Sequence, residues 1–418
     1  MKAGYKPTEV GVIPEDWNLM TFDEIAKITR GASPRPISDP KWFDVNSLIG
    51  WVRISDISNE SKYLDSTKQK LSPEGISNSR YVERGNLILS ICATVGKPKI
   101  TKIEVCIHDG FVVFENLKVN KDYVYSYLLW IENDWSKEGQ TGSQMNLNTT
   151  IVGSTCIPLP PTLEEQRRIA GALSDMDELI SSLEKLIEKK KAIKQGAMQE
   201  LLTGKTRLPG FTQQPGYKPT EVGVIPEDWG VVKIFQIAII QTGSTPSTAD
   251  SSNYGKDFLF VSSYDLGKSK YIYKTEKGLS EKGFSISRQF PKDSILFTCI
   301  GSTIGKVGIA NEILTSNQQI NAIFPNDFYN SNYLYYYLDL ISPTIRKSAS
   351  EQAVPLINKT SFGGIKITFP SIEEQQAIAR VLSDMDEEIQ QLQTKVKKYR
   401  KLKQGMMQEL LTGKTRLV

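Results

Sequence analysis

Histidine is almost missing from this chain of 418 residues: His108 stands alone beside 51 basic and 47 acidic side chains. One imidazole cannot build a multi-histidine metal site, and Cys106 and Asp109 add only a weak cluster, so His108 is expected to be a satisfied or exposed side chain. Cysteine is scarce too. Cys92, Cys106, Cys156 and Cys299 show no C-x-x-C spacing, which argues against the common zinc and redox motifs and for reduced, mostly buried thiols. No apolar run approaches the length of a membrane span, and neither end carries a positively flanked apolar leader; the expectation is a soluble cytoplasmic protein with no membrane contact. A strong excess of one charge is also lacking. A net charge of +4 and a pI near 8.6 are compatible with nucleic acid without requiring it.

The motifs of catalysis are lacking as well. TGKT at 203–206 and 412–415 invites a phosphate-loop reading, yet the earlier glycine of that motif is replaced by Gln199 and Gln408. GSTIGKV at 301–307 is one residue too short and has no Ser or Thr after its lysine. There is no glycine-rich fingerprint for a dinucleotide or methyl donor and no Asn-Pro-Pro-aromatic run. Asp175 and Asp177, two apart on a helix, face different ways and suit a solvated face. The chain reads as non-catalytic, with no cofactor and no metal of its own.

What it does contain is a duplication. GYKPTEVGVIPEDW at 4–17 returns unchanged at 216–229, and LEEQRRIAGALSDMDELISSLEKLIEKKKAIKQGAMQELLTG at 163–204 returns, altered, at 372–413. A repeat of this length is a repeated module. Within each long copy the apolar residues step by four and three: Ile169, Leu173, Met176, Ile180, Leu183, Ile187, then Ile378, Leu382, Met385, Ile389, Leu392, Val396, Tyr399. That is the seam of a coiled coil, and these residues are the expected helix-pair interface. Thr162 and Ser371, each followed three residues on by Glu165 or Glu374, read as capping boxes, and Gly204 and Gly413 as left-handed stops. A helix of about 40 residues is about 60 Å long, more than one small globule can bury.

Charge indicates how the two helices pair. Both begin acidic (Glu164, Asp175, Asp177; Glu373, Asp384, Asp386) and end basic (Lys189, Lys191, Lys194; Lys398, Arg400, Lys403), so antiparallel pairing sets each acidic half against a basic one. The other reading is that each gradient only answers its own helix dipole. Lys194 and Lys403 fall on the seam, where a lysine either fixes register or marks a splay; Gly196 and Gly405 favour a splay or kink.

The resulting division is a globular domain at 1–161, a long helix at 162–204, a polar linker at 205–215, a second globular domain at 216–369, a second long helix at 370–413 and a tail at 414–418. Each globule mixes strand-like runs (WVRISDI, LILSICA, FVVFE; FLFVSSYDL, SILFTCI, NQQINAIFP) with one helix-like run (122–134; 332–341), so the fold class is α+β. The same helix end meets the same block at the internal junction and, in circular sense, at the chain ends. The two termini are therefore expected close together, with pseudo-twofold symmetry.

Two matched globules, each feeding a helix that starts P-x-x-E-E-Q and ends Q-E-L-L-T-G-K, resemble the specificity subunit of type I restriction-modification enzymes. Further elements carry the resemblance over essentially the whole chain: the turns at 31–34 and 243–246, the ATVGK and STIGK loops at 93–97 and 302–306, the pair Asn317-Gln318, and TGSQMNLN at 141–148. His108-Asp109 stands where Asn317-Gln318 stands in the second half, a departure from the pattern. The resemblance implies a non-catalytic subunit that binds double-stranded DNA, two modification (methyltransferase) subunits and, through them, motor-nuclease restriction subunits. It implies two target-recognition domains, each reading half of a split DNA site, on a helix pair that serves as spacer and docking surface. S-adenosylmethionine, ATP and Mg²⁺ would belong to the partners.

The residues agree with that reading. A rod of about 60 Å compares with two turns of DNA at about 34 Å each. Because the globules differ internally, the site should be asymmetric. Base readers are expected among polar and basic loop residues: Ser33, Arg35, Arg53, Thr94, Lys97, Gln140, Ser143, Gln144 and Asn146, and Ser244, Thr245, Ser263, Ser302, Thr303, Lys306, Gln318 and Gln352. Plainer roles stand beside these: ion pairs with acids for Arg35 and Arg53, ordinary turns at Gly96-Lys97 and Gly305-Lys306, and capping at 144–148. Tyr333, Tyr335, Tyr336 and Tyr337 could stack bases, though helix packing suits them better. The alternative function is a coiled-coil scaffold that assembles proteins without reading DNA.

Overall fold

The computed structural model of the chain describes residues 4–57, 61–138, 147–211, 216–349 and 355–418. It divides into two compact units, Met1–Glu184 with Lys395–Val418, and Lys185–Thr394. Both boundaries fall within the long helices Leu163–Leu201 and Ile372–Leu411. Each unit thus holds one globule and a segment of both helices. Among the described residues no helix is long and apolar enough to cross a membrane.

In the first unit a mixed five-stranded sheet runs in the order Lys27–Arg30, Phe111–Glu115, Leu87–Ser90, Pro98–Thr101, Tyr63–Leu64. Strands Leu87–Ser90 and Phe111–Glu115 are mostly apolar runs buried along nearly their whole length, as suits strands covered on both faces. A second sheet orders Gln69–Lys70, Gly50–Val52, Val105–Ile107, Arg80–Val82. The second unit repeats the plan. Ile240–Thr242, Ile320–Ile323, Ile295–Thr298, Val307–Ala310, Tyr271–Ile272 form the first sheet, and Phe258–Val261 beside Leu314–Ser316 sits within the second. Short strands Cys156–Leu159 and Lys366–Phe369, paired to Asn18–Thr21 and Gly230–Lys233, lead into the long helices.

The core of the first unit gathers Trp17, Phe22, Tyr123 and Tyr127 with Ile169 and Leu173 of one long helix and Met407, Leu410 and Leu411 of the other. The second gathers Trp229, Tyr333 and Tyr337 with Ile378 and Leu382, and with Met198, Leu201 and Leu202. Both ends of the expected seam therefore belong to globule cores. Further along, Ile180, Ile187, Ile389 and Val396 are buried, while Met176, Leu183, Met385, Leu392 and Tyr399 are half-buried.

Within each unit the two helix segments run antiparallel. Lys403 lies 2.6 Å from Asp177 and Arg400 2.7 Å from Glu184 in the first unit; Lys194 lies 2.5 Å from Asp386 and Lys190 2.7 Å from Glu388 in the second. In each set a rising number on one helix meets a falling number on the other. The seam lysines fix register through aspartates, and the helices continue through Gly196 and Gly405 to Leu201 and Leu411. Gly204 and Gly413 then stop them at φ of 71° and 68°, as expected.

The capping boxes are only half formed. Thr162 and Ser371 accept from the backbone N–H of Glu165 and Glu374, but those carboxylates do not reach back. They turn to Arg416 and Arg207. Arg207 Nε and Nη2 donate to the Glu374 carboxylate at 2.6 and 2.7 Å, and its other edge takes Asp228 at 3.0 Å through two bonds. Arg416 holds Glu165 and Asp16 in the same way. A buried carboxylate is stabilised more by a guanidinium fork than by one amide, which explains the departure. It also means that 205–211, expected as linker, and 414–418, expected as tail, carry built joints at Arg207 and Arg416. The chain ends meet in the first unit, where the Tyr5 hydroxyl donates to the Gly413 carbonyl at 3.2 Å.

Candidate nucleic-acid interface

The turn at 31–34 is pressed against the end of strand Val105–Ile107. A Cβ on Gly31 would lie 2.0 Å from the His108 carbonyl oxygen, so only glycine fits. Gly243 stands in the same relation to Asn317, at 2.2 Å. Backbone bonds repeat the match: Gly31 to Phe111 and Ala32 to Ile107 on one side, Gly243 to Ile320 and Ser244 to Ser316 on the other. His108-Asp109 and Asn317-Gln318 are thus equivalent in space despite their different side chains.

That difference sets the local chemistry. Ser33 Oγ donates to Asp109 Oδ1 at 2.7 Å, and Arg35 Nη2 pairs with Asp109 Oδ2 at 3.1 Å. Partial burial works to raise the Asp109 pKa, but the Ser33 bond, its own backbone and the His108 and Arg35 charges hold the carboxyl below the usual range. His108 is pushed below its ordinary value by burial, against the pull of Asp109, and its Nδ1 accepts from the Gly110 N–H at 2.7 Å. In the second unit the Thr245 hydroxyl donates to Gln318 Oε1, and Ser244 Oγ accepts from the Arg288 N–H at 2.9 Å.

The expected readers fall into three groups. Ser33 and Arg35 come together around Asp109, with Arg53 nearby, its charge felt by His108; Arg53 lies over the Trp51 ring at 5.3 Å and donates to Gln69 at 3.1 Å. Ser244, Thr245 and Gln318 form the matching group. The glycine loops form the third. Gly96 and Gly305 have φ of 84° and 92°, the Thr94 carbonyl accepts from Ser90, Lys97 leans to Glu132 at 3.8 Å, and Lys306 donates to the carbonyl of buried Ser263 at 3.4 Å. Ser302 is exposed and Thr303 half-buried on the same turn. Gln140, Ser143, Gln144, Asn146 and Gln352 lie outside the described residues.

Tyr333, Tyr336 and Tyr337 are core residues, with Tyr336 bonded to Asp386 at 2.6 Å, so they pack and do not offer faces to bases. The available aromatics sit elsewhere. An open cleft of about 1040 Å³ in the second unit is lined by Thr245, Lys256, Tyr264, Tyr273, Lys274, Lys277 and Asn317, with Tyr264 67% and Tyr273 66% exposed. Lysines interleaved with exposed tyrosines suit a nucleic-acid strand. The runs SSYDL and YIYKT carry that signal; the first was read only as part of a strand-like run and the second was not singled out.

Known proteins share this architecture. The chain is 29% identical over 441 residues to the putative type I restriction enzyme MjaX specificity subunit of Methanocaldococcus jannaschii, covering 100% of this chain and 97% of that one. It is 27% identical over 419 residues to the MjaVIII specificity subunit of the same organism, covering 97% and 94%. Among solved structures, the type I restriction-modification S subunit from M. genitalium superposes with a TM-score of 0.58 at 12% identity, covering 94% of this chain and 96% of that one. A chain from a study of complex assembly and conformational transition of the type I system superposes at 0.65 with 16% identity, covering 96% and 99%. The model of the type I restriction modification DNA specificity domain matches twice, at residues 14–195 and 226–398. With that domain present in both globular halves, the chain belongs to the type I restriction-modification specificity family and is a non-catalytic specificity subunit with two target-recognition domains.

Proposed function

We propose that each globular domain reads one half of a bipartite, asymmetric site on double-stranded DNA, and that the antiparallel helices set the gap between the halves. The observation that carries this reading is the pairing of one fold with two surfaces: equivalent loops present Ser33, Arg35 and Asp109 in one domain and Thr245, Ser247 and Gln318 in the other. Similar scaffolds with unlike polar loops are what two different half-sites require. The helix pair also docks two modification subunits, and motor-nuclease subunits join through them. A solved chain of similar fold comes from a study of complex assembly in the type I system, which supports a role in assembly. Methyl transfer from S-adenosylmethionine and ATP- and Mg²⁺-dependent steps fall to those partners, in the cytoplasm. A scaffold indifferent to sequence would need no such divergence between equivalent loops.

The test is selection from a randomised duplex pool by the assembled methyltransferase. Enrichment of two unlike short motifs at a constant gap is the expected result. Recovery of no motif, or of a palindrome, would refute the reading.

A further inference from the structure

We infer that Arg35, held by Asp109, reads a guanine in the first half-site, and that Gln318, held by Thr245, reads an adenine at the equivalent place in the second. This rests on the proposed function and adds to it which side chains face which bases.

Equivalence comes from the backbone. Each turn is locked onto its partner strand end by a glycine whose Cβ would lie 2.0 or 2.2 Å from a carbonyl oxygen, so Ser33 and Thr245 occupy the same place, as do Asp109 and Gln318. Both hydroxyls donate to the side chain opposite: Ser33 to Asp109 and Thr245 to Gln318. The geometry is shared and the functional group is not. Where the first domain adds Arg35, the second has Ser247.

The groups present in each case match one base. Arg35 has a side chain 71% exposed and gives one nitrogen, Nη2, to Asp109. Nη2 carries a second N–H, which lies parallel to Nε–H on one edge of the guanidinium or to Nη1–H on the other, so the edge turned away from Asp109 keeps a complete pair of donors. Two parallel N–H donors fit the O6 and N7 acceptors on the major-groove edge of guanine. Gln318 is exposed, and with its oxygen accepting from Thr245 its amide group still offers a donor and a second lone pair. A donor beside an acceptor fits N7 and N6 of adenine.

Two features favour bases over phosphates. A carboxylate beside the arginine repels the DNA backbone and partly neutralises the cation, which would be a poor arrangement for phosphate binding. The same carboxylate orders a rotamer-rich side chain before DNA arrives, lowering the ordering cost of a specific contact. The lysines of the two glycine loops lean inward, Lys97 to Glu132 and Lys306 to Ser263.

The experiment repeats the pool selection with the full chain assembled with its modification subunits, comparing the parent with Arg35→Ala, Arg35→Lys and Gln318→Ala. The parent should select a guanine at one position of the first half-site and an adenine at one position of the second. Arg35→Ala should lower that guanine preference by about 5- to 150-fold while leaving the second half-site intact. Arg35→Lys keeps the charge without the fork and should lose the preference as well; Gln318→Ala should relax only the adenine position. Equal weakening on all sequences by Arg35→Ala, or a guanine preference retained by Arg35→Lys, overturns the inference and leaves the two-domain reading standing. If the parent itself selects no two-part site, that reading fails and the inference with it.

Discussion

Lys194 Nζ lies 2.5 Å from Asp386 Oδ1 across the helix pair of the second unit, and the other oxygen of Asp386 accepts from the Tyr336 hydroxyl at 2.6 Å. A lysine on an apolar seam costs desolvation, and this one is compensated by a partner that is itself fixed from a third element. In the first unit Lys403 and Asp177 pair at 2.6 Å, but Ser126 occupies the place of Tyr336. Lys194→Met should therefore destabilise more than Lys403→Met, by about 1–3 kcal/mol against about 1 kcal/mol or less, between the ranges for half-buried and surface pairs. Denaturant melts of both variants would show the ordering; equal losses would mean that Tyr336 contributes nothing to holding the register.

The Arg207 fork carries a larger expectation. Its side chain is 7% exposed and that of Glu374 2%, and the Trp229 indole N–H donates to the same carboxylate at 3.0 Å. Arg207→Ala leaves the buried Glu374 carboxylate without its cation and beside half-exposed Asp228, at a cost on the order of 3–5 kcal/mol. Arg207→Lys should recover little, since an ammonium cannot serve two carboxylates through parallel bonds. Arg416 is 26% exposed, so Arg416→Ala should cost less. Thermal melts and amide exchange at the start of helix Ile372–Leu411 would measure this, and an unchanged melting temperature for Arg207→Ala would refute it.

Much of the fold was legible because it repeats and because its signals are local. The four-and-three spacing that begins at Ile169 and Ile378 needs no tertiary context to declare a helix, and opposite charge halves sufficed for the antiparallel direction. What was not legible depends on distant residues. Nothing near Glu165 indicates that its carboxylate belongs to Arg416, 251 positions on, so the local capping box was expected. The helix-like run at 332–341 is only part of a helix that spans Ser331–Ala349, where buried Ile345 and Ala349 carry it past Pro343. For the candidate site, the turns at 31–34 and 243–246 stood out in the sequence, while Asp109 was not chosen among the readers because an acid is an unlikely first choice for meeting DNA. Its role emerges only once Ser33 and Arg35 are seen to converge on it. Tyr264 and Tyr273 were passed over for the denser cluster at 333–337, which burial removes from consideration.

Lys270 gives a pH signature. Its ammonium donates to Tyr336 at 3.0 Å and to Ser383 at 2.8 Å, and burial pushes its pKa down to about 8, with Asp386 pulling upward and Lys194 adding to the drop. The unfolded chain keeps that proton to near the ordinary value of 10.5. Between those values the unfolded state binds more protons, so stability contributed by this site rises with pH over the window. The parent should gain on Lys270→Met as pH is raised from about 8 to about 10. A stability difference that stays flat, or falls, over that range would contradict the burial of this charge.

The spacer role makes the last prediction, and it follows from helix arithmetic. Four residues add about 6 Å and a little over one turn, so a four-residue insertion near Leu183 and a matching one near Leu392 keep the apolar stripe nearly in phase on both helices. Matching insertions are needed because the pairing is antiparallel: an insertion in one helix alone would unpair Lys194 from Asp386 or Lys403 from Asp177. DNA advances about 3.4 Å per base pair, so the gap between half-sites should grow by about two base pairs while both half-site sequences stay the same. Selected sites read from the assembled methyltransferase would report the gap directly. Half-sites kept at their original separation would remove the helices from the measurement of distance, whatever else they hold together.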